Sequence, residues 1–462
     1  METPQSEVSA ELVAKYDTAG PRYTSYPTAP VWTDTFGDTE WDGALAEADA
    51  HGDETLALYV HLPFCQERCL FCACNVVITQ RQDVLDAYLD RLNREIATVA
   101  SKLPNRRKVS GVHWGGGTPT HLSPSEIEVL WSCITEHFDV LNDAEVSIEV
   151  HPPVTTREQM ETLARLGFNR ISLGVQDIDA DVQALINRNQ SLEQTEDVLR
   201  WARELGFNSV NFDLIYGLPG QTVDTWNYTL DQVVRLRPDR LAIYSYAHVP
   251  WLHPHQNRMP GDRLPSPELK LELLRTASRR LEAEGGYAEI GFDHFALPED
   301  ELATAVKDRK LYRNFMGYTV KPARDYIGFG MTAISEVGNA FAQNHSKLNR
   351  WNEAIDSGHC GVSRGHSLSL EDRVRKLIIE RLMCNQQVAF AEVESLSGQL
   401  FRKHFASQWR ALEEFEADGL VVRGESDLTV TKLGRNFLRN ICMLFDGYLE
   451  EQLREGRYSK TV

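Results

Sequence analysis

Residues 61–75 read HLPFCQERCLFCACN and bring Cys65, Cys69, Cys72 and Cys74, half of the chain's eight cysteines, into one short run. In a reducing compartment such a run argues for a metal site rather than for disulfides. The scattered Cys133, Cys360, Cys384 and Cys442 read as small buried hydrophobes. The first three clustered cysteines have the spacing C-x3-C-x2-C. Zinc sites usually draw two C-x2-C pairs from two places, and no second pair is present. Iron–sulfide clusters also take thiolates, and a four-iron cluster normally takes four. Three ligands would leave one iron open to a chelating molecule.

The stretch is the end of an apolar run, 56–62, that reads as a buried strand. Further runs at 109–114, 146–150, 170–173, 210–214 and 241–244 have the same character. Between and after them lie amphipathic stretches at 84–103, 125–138, 157–166, 192–205, 223–236 and 269–284. Alternating strand and helix predicts a parallel sheet, and about six such units predict a partial or complete β/α barrel. A doubly wound open sheet is the structural alternative.

That register puts the polar and glycine-rich features together. The cysteine run follows the first strand and GGGTPT (115–120) follows the second. Glu149 closes the third, Gln176 follows the fourth, Asp213 closes the fifth, and Tyr246 and Ala247 follow the sixth. In a β/α barrel all of these positions surround the C-terminal mouth, where active sites are built. Taken singly, Glu149, Gln176 and Asp213 read as ordinary strand ends and Arg188 as a solvated helix charge. Their convergence on one rim favours a site.

On the N-terminal side, PRYTSYPTAP (21–30) has too many turn formers for a helix and reads as an extended segment lying over another part of the chain. Beyond residue 285 the alternation breaks down, and from about residue 368 the composition turns helical, with the look of a small winged-helix-like module that serves as lid or scaffold. The expected organisation is therefore an N-terminal extended segment covering the site (1–50), a β/α barrel domain with an extension (51–365) and a mostly helical C-terminal domain (366–462).

The net charge of −19, from 48 basic and 67 acidic residues, disfavours broad binding to nucleic acid or anionic membranes. No run approaches the roughly 20 uncharged apolar residues of a membrane span, and the first residues lack the pattern of a signal peptide. The expected location is the cytoplasm.

With these features assembled, the cysteine run resembles that of the radical S-adenosylmethionine enzymes, with Phe71 as the aromatic residue before the third cysteine and GGGTPT as their Gly-rich loop. A narrower resemblance extends from about Tyr16 to the last residues. RYTSYPTA, YVHLPFC, the C-x-C followed by Asn75, GVQD, INRNQ, NFDLIYGLPGQT, YAHVP, GFDHFA, NFMGYT, FAQN and RNICMLFDGYL are similar to the oxygen-independent coproporphyrinogen III oxidase family. The resemblance implies that two propionates of coproporphyrinogen III lose CO2 and become vinyl groups, giving protoporphyrinogen IX, through a 5′-deoxyadenosyl radical. It implies a [4Fe-4S] cluster, two molecules of S-adenosylmethionine, a reduced flavodoxin- or ferredoxin-like electron donor and a monomer.

Carried over by position, the resemblance gives Cys65, Cys69 and Cys72 to the cluster. Tyr59 and Phe71 pack around the cofactor, while Gly116, Gly117 and Thr118 hold the methionine head. Glu149, Gln176, Arg188 and Asp213 contact its carboxylate and ribose, Ala247 lies by the adenine, and Ile334 touches the second S-adenosylmethionine. Cys74, Tyr59 and Arg22 are the candidate catalytic residues. A fourth thiolate would close the open iron, so Cys74 belongs to the substrate side or to radical control. Arg22, with Tyr23 and Tyr26, is expected to order over the substrate and to pair with a propionate. One departure stands out: where the family commonly has Gln near the second cofactor, this chain has Met316, whose thioether cannot make amide hydrogen bonds. The alternative reading is a haem-binding chaperone or haem-degrading relative, but such relatives usually lack the second cysteine of C-x-C, and Cys74 is present.

Overall fold

The computed structural model describes residues 9–291, 293–321 and 323–454. All six expected strands and six expected helices form, in the order β1 (Leu56–Leu62), α1 (Gln82–Ser101), β2 (Lys108–Gly116), α2 (Pro124–His137), β3 (Asp139–Val150), α3 (Arg157–Arg165), β4 (Arg170–Gln176), α4 (Leu192–Glu204), β5 (Ser209–Tyr216), α5 (Val223–Leu236), β6 (Arg240–Ser245) and α6 (Pro267–Arg280). The helix starts are written into the sequence. Ser123 and Glu126 form a capping box on α2, Thr156 and Gln159 on α3, and Ser191 and Gln194 on α4. Gly167 and Gly206 follow α3 and α4 with positive φ, the backbone state that ends a helix at little cost for glycine.

Consecutive strands β1 to β6 pair in parallel, each beside the next. No reversal of order occurs among them, so the doubly wound alternative is excluded. The sheet is extended by β7 (Ala288–Glu289) and β8 (His294–Ala296) at one end, with β8 antiparallel to β6. A separate hairpin follows, β9 (Tyr312–Asn314) and β10 (Gly317–Thr319). At the other end β11 (Asp325–Phe329) runs parallel to β1 and leads into antiparallel β12 (Ile334–Val337), β13 (Ala340–Asn344) and β14 (Val362–Ser367). The twelve-stranded order is β14-β13-β12-β11-β1-β2-β3-β4-β5-β6-β8-β7, and among the described residues its two ends are not paired. The architecture is therefore a partial barrel.

Apolar faces of the helices pack on the outside of the sheet in one core that includes Leu92, Ile96, Ile127, Leu130, Leu163, Val198 and Leu230. The inner face differs. Ser147, Glu149, Ser172, Asn211, Asp213 and Tyr244 are among the residues lining a cavity of ≈290 Å³ inside the barrel. Branched apolar side chains usually fill this space in complete barrels, so a polar, hollow interior marks where ligands can enter. A broader depression of ≈590 Å³ between α1 and α2, lined by Asp90, Arg94 and Glu128, lies outside the barrel and away from the strand ends.

At the N-terminal end of the strands, Arg106 is fully buried and donates to Asp325, Ala48 O, Glu54 O and Thr55 O. Asp325 also accepts from Gly338 N at 2.6 Å. This fastens β11 to the β1–β2 side of the barrel.

The C-terminal part has its own apolar core, built on the helix Leu370–Asn385, the helix Ala406–Ala417 and a small three-stranded sheet. Tyr16, Tyr23 and Tyr26 belong to that core. The first fifty residues are not wholly irregular. A helix, Asp38–Asp49, forms because Trp41, Leu45 and Ala48 fall on one face and are buried there. Among the described residues no helix is long and apolar enough to cross a membrane.

Candidate active site

The cysteine run leaves β1 at the C-terminal mouth. It is held at both ends and in the middle by hydrogen bonds, because its own residues form no regular structure after Phe64 and Cys65 pair with Val77 and Ile78. Leu70 N donates to Ile186 O at 2.9 Å and Asn187 Nδ2 to Arg68 O at 2.9 Å. His255 Nε2 meets Cys72 O at 2.8 Å, and Gln256 Nε2 donates to Phe71 O at 3.3 Å. At the trailing end His61 Nε2 meets Asn75 O at 3.1 Å, and Asn75 Nδ2 donates to Thr332 Oγ1 at 2.7 Å. Thr332 has φ +62°, a strained state for a β-branched residue, in the turn between β11 and β12.

All four cysteines are free thiols; Cys65, Cys69 and Cys72 are half-buried and Cys74 is exposed. Each of the first three has a polar neighbour. Cys65 Sγ lies 3.4 Å from Thr118 Oγ1, Cys69 Sγ accepts from Arg188 Nη1 at 3.6 Å, and Cys72 Sγ accepts from Cys74 N at 3.4 Å. Burial pushes the Cys65 thiol up to about 11. The Cys74 thiol, donating to Cys72, instead brings Cys72 down to about 7, and Cys74 itself is held well above the usual thiol range.

Among the described residues no three His, Cys, Asp or Glu side chains converge as a single metal ion requires. Three thiolates that each bind a different iron of a cluster need not converge on one point. The free thiols, their closeness in one loop and the Arg188 guanidinium beside Cys69 therefore fit a cluster of several irons.

The rim around this loop is built from the strand ends that the sequence singles out. A Cβ on Gly115 would meet Glu149 Oε1 at 2.8 Å, one on Gly116 would meet the His61 ring at 2.5 Å, and one on Gly117 would meet the Pro63 backbone at 2.6 Å. Close packing of the glycine run against the site is thus the reason for glycine here. Gly116 N donates to Glu149 Oε2 at 3.1 Å, Gly117 N to Leu62 O and Thr118 N to Phe64 O. These three backbone donors are therefore taken up within the protein. Although burial opposes its charge, Glu149 is held below the usual carboxylate range by His113 and by Gly116 N. Asp213, bonded to Ser172 and Asn211, is pushed up to about 6 by burial and by the charge of Glu149.

Gln176 ends β4 beyond a register shift and has φ +67°. A Cβ on Gly174 would lie within 3.0 Å of both Arg188 Nη2 and Gln176 Nε2, so these two side chains share the space that the glycine leaves. Arg188 is buried, donates to Gly174 O and to Gln190 Oε1, and reaches Cys69. Tyr59 stacks on His113 at 5.9 Å, and its hydroxyl lies 3.0 Å from His61 Nδ1. Phe71 and Ala247 are linked by Gln256, which donates to the carbonyls of both. Ile334 begins β12 on the far side of β1, just after the turn that holds Asn75. Met316 lines the barrel cavity with Glu149 and Asp213.

The aromatic N-terminal trio divides. Arg22 reaches the mouth, where Nη2 lies 3.5 Å from Ser245 O at the end of β6. Tyr23 and Tyr26 turn away into the C-terminal module, with Tyr23 OH donating to Asp446 at 3.0 Å and Tyr26 OH accepting from Gly447 N at 2.9 Å. Tyr23 makes this division possible through its φ of +49°.

Several residues at the site carry no motif signal. His113, His151 and Gln256 are examples. His151 is pushed down to about 3 by burial and by the facing Arg188. The period-two alternation of β2 could have found His113, since it shares its face with Gly111 and Gly115; nothing local points to Gln256.

A model of the Radical SAM superfamily matches residues 59–233, and the HemN C-terminal domain matches residues 368–437. The chain is 44% identical over 455 residues to an oxygen-independent coproporphyrinogen III oxidase of Pseudomonas aeruginosa, covering 98% of each chain. It is 41% identical over 462 residues to the protein of that name from Escherichia coli, covering 100% of each. Among solved structures it matches one described as "Coproporphyrinogen III oxidase (HemN) from Escherichia coli is a Radical SAM enzyme", with a TM-score of 0.89 and 42% identity, covering 92% of this chain and 97% of that one.

Proposed function

This chain belongs to the oxygen-independent coproporphyrinogen III oxidase family of radical S-adenosylmethionine enzymes, and we propose that it converts two propionates of coproporphyrinogen III into vinyl groups with loss of CO2. The observation that carries this reading is the meeting of three free thiols, Cys65, Cys69 and Cys72, with Arg188, Glu149 and Asp213 at one barrel mouth above a polar cavity.

When bound, a [4Fe-4S] cluster and S-adenosylmethionine supply one-electron cleavage of a sulfonium bond and the hydrogen-atom abstraction that starts the decarboxylation. Cys65, Cys69 and Cys72 hold the cluster, and Arg188 stabilises the Cys69 thiolate. Gly116, Gly117 and Thr118 receive the ammonium group of the methionine part on their carbonyl side. Gln176 and Arg188 bind its carboxylate. Glu149 and Asp213 accept hydroxyl groups of the ribose. Phe71 and Ala247 border the adenine, steadied by Gln256. Tyr59 packs on the cofactor and keeps His61 and His113 in place.

A second S-adenosylmethionine would lie between Ile334 and Met316, held without the amide bonds a glutamine would give. Cys74 stays off the cluster and faces the substrate, and Arg22 pairs with a propionate at the rim. Holding the reacting carbon near the cofactor supplies proximity, and the N-terminal segment excludes water. In this reading the segment 1–50 covers a barrel domain of residues 51–365, with a helical domain of residues 366–462 behind it, residues 1–8 and 455–462 lying outside the described residues. The protein acts as a monomer in the cytoplasm, where free thiols persist, and takes its electrons from a reduced flavodoxin- or ferredoxin-like donor.

The test is anaerobic. The cluster is reconstituted, reductant, S-adenosylmethionine and coproporphyrinogen III are added, and 5′-deoxyadenosine and porphyrinogen product are followed together. Both should accumulate. Cofactor cleavage without decarboxylated product would overturn the substrate assignment.

A further inference from the structure

We propose that the loop after β6, residues 246–264, together with the outer side of the cysteine run, is the docking surface for an acidic one-electron carrier protein. The proposal rests on the reading that Cys65, Cys69 and Cys72 hold a redox cluster.

The loop is the part of the chain that joins the cysteine run to an outward-facing apolar patch. Its His255 and Gln256 bond the carbonyls of Cys72 and Phe71. Only three residues before His255, Leu252 is 65% exposed, and its neighbour Trp251 is 73% exposed, the most exposed of the large apolar side chains among the described residues. None of the other eight tryptophans is exposed. An isolated exposed apolar residue needs no explanation, but an adjacent Trp and Leu on a loop fastened to the candidate redox site is the aromatic and aliphatic centre from which a transient interface is built.

Charge selects the partner. The chain as a whole carries −19 and repels an acidic protein over most of its surface. On this loop and the cysteine run the balance is reversed, with three arginines against two acids. Arg258 and Arg263 are exposed, Arg68 is half-buried, and among the described residues none of the three has a carboxylate within ion-pair distance. Glu67 and Asp262 are the acids on these two segments. A carrier with an acidic face would be steered to this patch and away from the rest. Electron transfer weakens steeply with distance, so docking on the loop that touches Cys72 is also the productive orientation. In the step itself one electron leaves the carrier and enters the iron held by the three thiolates; no proton or group moves with it.

The experiment uses reduced bacterial flavodoxin as the acidic carrier and dithionite as a small reductant that needs no docking. Binding of flavodoxin is titrated at low and high salt, and reduction of the reconstituted cluster by each reductant is followed by its absorbance. Trp251→Ala and the double variant Arg258→Glu with Arg263→Glu should each weaken flavodoxin binding, the charge variant by roughly tenfold or more at low salt. Both should slow reduction by flavodoxin while iron content and reduction by dithionite stay at the level of the unaltered protein. Flavodoxin binding and reduction rates unchanged in both variants would overturn the proposal, as would failure of the unaltered protein to bind flavodoxin. If dithionite fails to reduce the unaltered protein, the cluster reading itself falls, and that outcome is distinct from a docking failure.

Discussion

Two carboxyl groups are buried to the same depth, 1% exposed, at opposite ends of the barrel wall, and they are managed in opposite ways. At the base, Asp325 is paired with the guanidinium of Arg106, which also donates to three backbone carbonyls. Towards the mouth, Glu95 on α1 has no cationic partner among the described residues. It accepts from Gly330 N at 2.6 Å, Asn344 Nδ2 at 2.7 Å and Trp351 Nε1 at 3.3 Å, and burial pushes it up to about 8 despite these donors. The base is saturated and rigid, whereas the mouth keeps polar groups short of charge partners. A saturated charge pair fixes strand positions and has nothing left to offer a ligand. Thiols, Arg188, Glu149 and Asp213 at the mouth retain that capacity.

The strongest way to break this contrast is at the mouth. Cys69→Ser should lose the bound iron and all activity, whereas Cys74→Ser should keep most of the iron; iron and sulfide analysis after reconstitution reads both. Loss of the cluster in the Cys74 variant would mean that the fourth thiol is a ligand.

At the base, Arg106→Ala leaves Asp325 buried without its cation and three carbonyls without their donor. The expected cost is about 3–5 kcal/mol, seen as a lower urea midpoint with an unchanged slope. A cost below about 1 kcal/mol would show that the base is not the rigid end.

Glu95 sharpens the comparison through pH. Its folded-state value of about 8 lies above the ordinary 4.5, so between these the folded chain holds a proton that the unfolded chain releases. Its contribution is full below about 4.5 and is lost as pH rises towards 8. Stability should fall over that interval by an amount on the order of a few kcal/mol, and Glu95→Gln should flatten the fall. Urea unfolding at stepped pH measures it.

The smallest effect belongs to the N-terminal seam. Tyr26→Phe removes the acceptor of Gly447 N and should cost about 1 kcal/mol, with iron content unchanged. A change in iron content would tie this seam to the mouth more tightly than its contacts indicate.

Much of the site was legible because its signals are local. Three cysteines at C-x3-C-x2-C and a glycine run after the next strand are read within a dozen residues each, and apolar runs alternating with 3.6-residue periodicity carry the order of strands and helices. Glu149, Gln176 and Asp213 followed from that order, since strand ends of a parallel sheet share one face. Arg106 and Glu95 were not legible. A lone arginine after a helix and a lone glutamate within one look like solvated charges, and their partners are 219 and 235 residues away. Adjacent Arg22 and Tyr23 likewise part company, one to the barrel mouth and the other to the C-terminal core, on the strength of one backbone torsion.

The sequence by itself determined the clustering of four thiols, the alternation of strand and helix and the strand ends on which the polar residues gather, because spacing and periodicity act between neighbours in the chain, whereas strand pairing in the fold decided that the barrel is partial. Only the tertiary structure decided which charges are saturated and which are left open, how the turn at Thr332 holds Asn75, and that Gln256 joins Phe71 to Ala247. Those pairings depend on sheet curvature and strand register, which bring together residues that no local pattern relates.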